Sequence, residues 1–94
     1  MAGRAFAYIL ASKPRGMLYV GVTTNLPARV EQHKSGAVPG FTAKWRVSRL
    51  VWFQGFDDIR DAIDHEKRLK RWRREWKIKL IEASNPNWDE LQPW

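Results

Sequence analysis

The chain has 94 residues, 44% hydrophobic and 13% aromatic with six tryptophans, enough for one small core and too apolar for a disordered segment. It has no cysteine, which excludes disulfides, thiol nucleophiles and thiolate metal sites together. Its 17 Lys and Arg against 10 Asp and Glu give a net charge of +7 and an isoelectric point near 10.3, which points to a polyanionic partner, nucleic acid ahead of an anionic membrane surface.

"AFAYILAS" and "MLYVGVTT" are two β-rich runs separated by the turn cluster "KPRG", and together they read as a hairpin. With Lys13-Pro14 at the centre of the turn, Tyr8 falls directly opposite Tyr19 and both side chains share one face. "NLPARVEQHKSG" carries helix punctuation: Asn25 as N-cap, Pro27 in the tolerant first turn and Gly36 as the stop. "VPGFTAKW" reads as a loop broken by Pro39 and Gly40, and "WRVSRLVWFQGF" as a third strand.

From an N-cap at Asp57, "DIRDAIDHEKRLKRW" is expected to form a long helix with Ile59, Ala62, Ile63 and Leu69 on its apolar face. A second helical stretch, Arg73 to Ala83, follows with little or no break, and "SNPNW" ends it at Pro86. The predicted fold is α+β, a small three-stranded antiparallel sheet flanked by helices in the order β-β-α-β-α-α. A single domain over residues 1–94 is expected. No apolar run approaches the roughly 18–20 residues of a membrane span, and residues 1–11 lack a signal peptide's apolar stretch. The expected location is the cytoplasm.

Position 66 falls on the apolar stripe of the long helix, yet it is Glu66. A buried carboxylate needs a cation, which could be Arg, Lys or a metal ion. The alternative is a half-exposed glutamate at the stripe's edge, paired with Lys70. Arg29 and His33, four apart, share a helix face, although in isolation a solvated face explains such a pair better than a site does. Tyr8 and Tyr19 taken alone fit strand packing. His65-Glu66 begins like a zinc-protease helix, but Leu69 stands where the second histidine is required.

Residues 67 to 79, "KRLKRWRREWKIK", hold eight basic side chains and one acid around Trp72 and Trp76. Lys67, Lys70, Arg71, Arg73, Arg74 and Lys77 are the candidate phosphate contacts. The tryptophans fit a core face, while the nearly single-signed charge fits a phosphate-binding surface.

Taken together these residues resemble the GIY-YIG nuclease superfamily, and within it the small stand-alone single-domain members. The signature triplets stand as Phe6-Ala7-Tyr8 and Tyr19-Val20-Gly21, followed by "NLPARVEQH" with its arginine, the acidic helix "AIDHEKRLKRW" and the closing "LIEASNPNWDEL". The resemblance covers roughly residues 5 to 92. The first triplet departs from the pattern at Phe6 and Ala7, which bears on strand packing more than on chemistry.

The resemblance implies that Tyr8, Tyr19, Arg29 and Glu66 converge on one scissile phosphate, with His33 as a fifth member. It also implies a divalent cation, most naturally Mg²⁺, held by Glu66. Tyr19 would be the general base, Tyr8 would orient the water, and Arg29 would hold phosphate oxygens. The asparagine that family members carry after the glutamate has Asn85 as its nearest counterpart.

The function implied is a metal-dependent DNA endonuclease, structure-selective and related to repair. The alternative is a non-catalytic nucleic-acid-binding module that keeps the nuclease fold. The expected partner is DNA through its phosphate backbone, with no membrane, a monomer or weak dimer, and a protein partner as the source of specificity in a chain with no room for a targeting domain.

Overall fold

The computed structural model describes residues 4–37 and 40–93. Strands β1 (Ala5–Ala11), β2 (Leu18–Thr23) and β3 (Arg49–Phe56) form one antiparallel sheet in the order β2-β1-β3, with β1 in the centre. Helices α1 (Leu26–Ser35) and α2 (Phe41–Trp45) come before β3, and α3 (Ile59–Arg71) and α4 (Arg74–Ser84) follow it. The α+β architecture is the one the sequence predicts, with one short helix added.

The central strand explains the two-sided core. Ala7, Ile9 and Ala11 of β1 pack with Leu69 of α3, Ile81 of α4 and Trp88, whereas Tyr8 and Leu10 pack with Leu26 and Val30 of α1 and with Val47 and Leu50. Alternate residues of a strand face opposite sides, so a strand covered on both faces must be apolar throughout. β1 is, apart from Tyr8.

The hairpin register differs from the expected one by two residues. Tyr8 pairs with Gly21, and Tyr19 pairs with Leu10. The turn is centred on Pro14-Arg15 rather than Lys13-Pro14: Gly16 N–H donates to the Lys13 carbonyl at 2.8 Å, and Arg15 takes a positive φ of 54°. Proline at the first central position with a left-handed residue after it is type II turn geometry. A two-residue shift preserves the face, so the tyrosines remain neighbours, with ring centroids 6.4 Å apart.

Helix α1 follows its punctuation. Asn25 Oδ1 accepts the Ala28 N–H at 3.2 Å, and Gly36 closes the helix with φ 77°. Four boundaries differ from expectation. The segment read as a loop contains α2, and β3 starts at Arg49 rather than Trp45, because Arg46 turns the chain at φ 54°. Asp58, not Asp57, caps α3 by accepting the Arg60 N–H. An extended break at Trp72 and Arg73 separates α3 from α4, which ends at Ser84. Pro39, read as a breaker, lies outside the described residues.

Candidate active site

Tyr8 is fully buried although it carries a hydroxyl. Its ring lies across Gly21 of β2, where a Cβ would stand 2.5 Å from both the ring Cζ and the phenol oxygen. The glycine of the second triplet thus makes the space that the tyrosine of the first one fills. Tyr19, two pairs along and so on the same face, is half-buried and leans on the same cluster, its ring centroid 5.4 Å from that of His33.

The phenol oxygen of Tyr8 lies 3.1 Å from His33 Nε2, and His33 Nδ1 lies 3.0 Å from the hydroxyl of Thr42 on α2. All three residues are buried: His33 is 4% exposed and Thr42 3%. Burial first, and the Arg29 guanidinium second, push the His33 imidazole below its ordinary pKa, so it is neutral at pH 7. Two tautomers satisfy the chain. In one, Nδ1–H donates to Thr42 and Nε2 accepts from the Tyr8 O–H; in the other, both bonds run the opposite way. Among the described residues no buried side-chain nitrogen or oxygen lacks a partner.

Arg29, half-buried one helical turn before His33, also acts on Tyr8. Burial raises the Tyr8 phenol well above its usual range, and Tyr19 and the Glu66 carboxylate add to that, while the Arg29 guanidinium opposes it. Tyr8 therefore contacts His33 and lies within electrostatic reach of Tyr19, Arg29 and Glu66. The five residues singled out in the sequence lie together. Thr42 is a sixth that the sequence reading missed, because a lone threonine in an apparent loop carries no signal.

Residues 4–79 match the GIY-YIG catalytic domain. The chain belongs to the GIY-YIG family. That places it in a nuclease family. The GIY-YIG chain is 38% identical to a UPF0213 protein of Pediococcus pentosaceus over 71% of its length and 70% of the relative's. It is 32% identical to a UPF0213 protein of Clostridium perfringens over 85% of each chain. A third, from Staphylococcus haemolyticus, is 34% identical over 82% of this chain and 93% of the relative. No solved structure matches.

Among the described residues of this GIY-YIG site, Glu66 is the one acidic group. Its side chain is 12% exposed and its carboxylate is 2.7 Å from Lys70 Nζ, so the lysine pairing read from the helix spacing is present. Among the described residues no group of three or more His, Asp or Glu could cage a metal ion. One hard carboxylate that keeps some solvent exposure still fits Mg²⁺. That ion is commonly held by one or two carboxylates and fills its other positions with water and phosphate oxygens. Lys70 is half-exposed, so a cation at Glu66 would displace a solvent-facing partner.

The six candidate phosphate contacts do not form one equivalent set. Lys67 and Arg71 are exposed and make no ion pair among the described residues. Lys70 holds Glu66, and Arg73 is near Glu75 at 3.8 Å with its guanidinium over the Trp76 ring. Arg74 donates to the hairpin carbonyls of Arg15 and Gly16, the latter at 2.7 Å. Lys77 is half-buried, and burial followed by Arg74 pushes its ammonium below the usual range.

Asn85 is likewise occupied. Its Nδ2 donates to the Val51 and Asp89 carbonyls at 3.1 and 2.9 Å, and its Oδ1 accepts the Asp89 N–H at 3.0 Å. It caps α4 and ties the closing segment to β3. Among the described residues, no helix is long and apolar enough to cross a membrane.

Proposed function

We propose that this chain is a metal-dependent endonuclease that hydrolyses phosphodiester bonds in DNA, with Tyr8, Tyr19, Arg29, His33 and Glu66 as its site. The observation that carries the reading is the buried contact between Tyr8 and His33. A phenol is a poor base unless its own proton has somewhere to go. Tyr8 has that exit: with Thr42 accepting from Nδ1, His33 Nε2 is free to receive the Tyr8 proton as the Tyr8 oxygen takes one from the attacking water. Tyr19 has no such acceptor among the described residues. The contact therefore favours Tyr8 as the base and Tyr19 as the group that orients the water, the reverse of the assignment made from the sequence.

Arg29 supplies a planar cation for the phosphate oxygens and opposes the cost of charge on Tyr8. Glu66 would hold the divalent cation, most naturally Mg²⁺, which supplies Lewis-acid neutralisation of the phosphate and of the leaving oxygen when bound. The proton left on His33 is unstable in its buried place beside Arg29, so the imidazole returns to neutrality once product leaves. The net positive charge of the chain favours DNA as the polyanion, and a structure-selective role in repair is part of the proposal.

The test is cleavage of branched, single-stranded and duplex DNA by the purified protein with and without Mg²⁺, comparing Tyr8→Phe with Tyr19→Phe. Loss of the base should cost on the order of 10²–10⁴ in rate and loss of an orienting group less. Greater damage from Tyr19→Phe returns the base to Tyr19. Binding of all three DNAs without metal-dependent cleavage of any would favour the non-catalytic module instead.

A further inference from the structure

Helix α2 is built the wrong way round for a core element. Of its five residues, Phe41 to Trp45, only Thr42 is buried, while Phe41 and Trp45 are each 46% exposed. Large aromatic side chains carry the most burial energy, so folding alone selects them for the inside and a threonine for the outside. Here the hydroxyl goes in to meet His33, and two rings four residues apart share the outer face.

The segment that carries that face holds charge of one sign. From Gln32 to Phe56 the sequence has no Asp or Glu and four basic side chains, Lys34, Lys44, Arg46 and Arg49. Lys34 pairs with Glu90, and Arg49 donates to the Trp88 carbonyl. Lys44 and Arg46 make no ion pair among the described residues, and Lys44 Nζ sits 5.2 Å from the centre of the Trp45 ring. Arg46, with Ser35, Thr42, Ser48 and His33, also lines an open cavity of about 340 Å³. A platform of exposed aromatics edged by cations that have no carboxylate partner among the described residues matches an unpaired DNA strand, whose bases offer flat π-faces and whose backbone offers phosphates. A duplex keeps those faces stacked on one another.

We propose that Phe41 and Trp45 form a stacking subsite for unpaired nucleobases of the DNA strand next to the scissile phosphate, with Lys44 and Arg46 on its backbone. The proposal rests on the endonuclease reading for its location and sharpens it: the preferred substrate has unpaired nucleotides beside the cut. Thr42 links the two, because one turn of helix carries both the ring platform and the hydroxyl that contacts His33.

Binding without metal separates the two ideas. Fluorescence anisotropy would follow an unstructured single-stranded oligodeoxynucleotide and a blunt-ended duplex of two annealed strands, each in EDTA across a salt series. Phe41→Ala and Trp45→Ala should each weaken single-strand binding by about 5- to 100-fold, leave duplex binding unchanged and leave the salt slope unchanged. Trp45→Phe should retain most of the affinity. Lys44→Gln combined with Arg46→Gln should instead lower the single-strand salt slope by about 1.4.

Equal losses on both DNAs, or no loss on either, would overturn the subsite. So would tighter binding of the ribo-oligonucleotide of the same sequence, or a Trp45→Ala change that alters sedimentation of the protein and not its hold on DNA. If the wild-type protein cuts DNA while the aromatic variants behave like it, the subsite falls and the nuclease reading stands. If the aromatics control binding while no DNA is cut, the nuclease reading falls and the subsite stands.

Discussion

Gly21 and Tyr8 occupy one space: a Cβ on the glycine would meet the phenol oxygen and Cζ of the tyrosine at 2.5 Å. Neither group can yield easily, since Gly21 belongs to paired backbone and Tyr8 is fully buried. Gly21→Ala should therefore tilt Tyr8 away from His33, cost about 1–3 kcal/mol in stability and reduce cleavage far more than that loss explains. Chemical denaturation beside single-turnover cleavage reads both. An alanine variant with wild-type stability and rate would show that the ring moves aside freely.

Much of this site was legible in the sequence. Glu66 could be named from its own position, as a carboxylate on an apolar stripe, whereas Tyr8, Tyr19, Arg29 and His33 each fit packing or a solvated face alone and stood out only as a set, through the resemblance to the GIY-YIG family. The α1 caps at Asn25 and Gly36 were readable because helix ends need specific chemistry. The register was not, because Lys13-Pro14 and Pro14-Arg15 are both acceptable turn centres and only side-chain packing chooses between them. Helix α2 was hidden for another reason. One turn is too short to show a period, and its inverted exposure gives the pattern of no core element. Thr42 went unseen with it.

Glu66 and Lys70 give a prediction about metal affinity that needs no turnover. The free carboxylate is already paired with an ammonium at 2.7 Å, which a divalent cation must displace. Removing the competitor by Lys70→Met should raise the Mn²⁺ affinity of the DNA-free protein by about two- to five-fold, the scale of a partly exposed ion pair. Glu66→Gln should abolish that binding and keep the fold, since the amide retains the shape and removes a charge that is costly to bury. Titration calorimetry with Mn²⁺ measures both. Unchanged binding in Glu66→Gln would remove the carboxylate from the metal site.

Acid should loosen the protein through its two histidines. Burial first holds both imidazoles below their ordinary pKa, with Arg29 adding to the effect at His33 and Arg68 at His65. Below about pH 6.5 the unfolded chain then binds more protons than the folded one. The stability tied to these groups is complete above that pH and is lost as pH falls through the depressed folded values. Urea midpoints should drop between pH 7.5 and 5, and the drop should shrink in His33→Gln, which has no proton to gain at that position. A midpoint that rises on acidification would contradict buried neutral imidazoles.

Arg74 and Arg71 should separate structure from DNA contact, although both lie in the same basic run. Arg74 bridges from the start of α4 to the hairpin turn, donating to the carbonyls of Arg15 and Gly16, and Arg15 in turn pairs with Glu82 of α4 at 2.9 Å. Charged donors to carbonyls are worth more than neutral ones, but these are exposed, so Arg74→Ala should cost about 1–2 kcal/mol in stability. Its guanidinium is already engaged, and the salt dependence of DNA binding should change little. Lys67 and Arg71 are exposed and unpaired among the described residues. Neutralising both with Gln should leave stability within about 0.5 kcal/mol and lower the duplex salt slope by about 1.8, the release of two counterions. Filter binding from low to moderate salt, beside thermal melts of the same variants, measures the two effects independently. If Arg74→Ala flattens the salt slope without lowering the melting temperature, its guanidinium serves DNA rather than the turn. If the Lys67 and Arg71 changes leave the slope as it was, DNA does not lie along α3, and the phosphate surface must be sought beside α2.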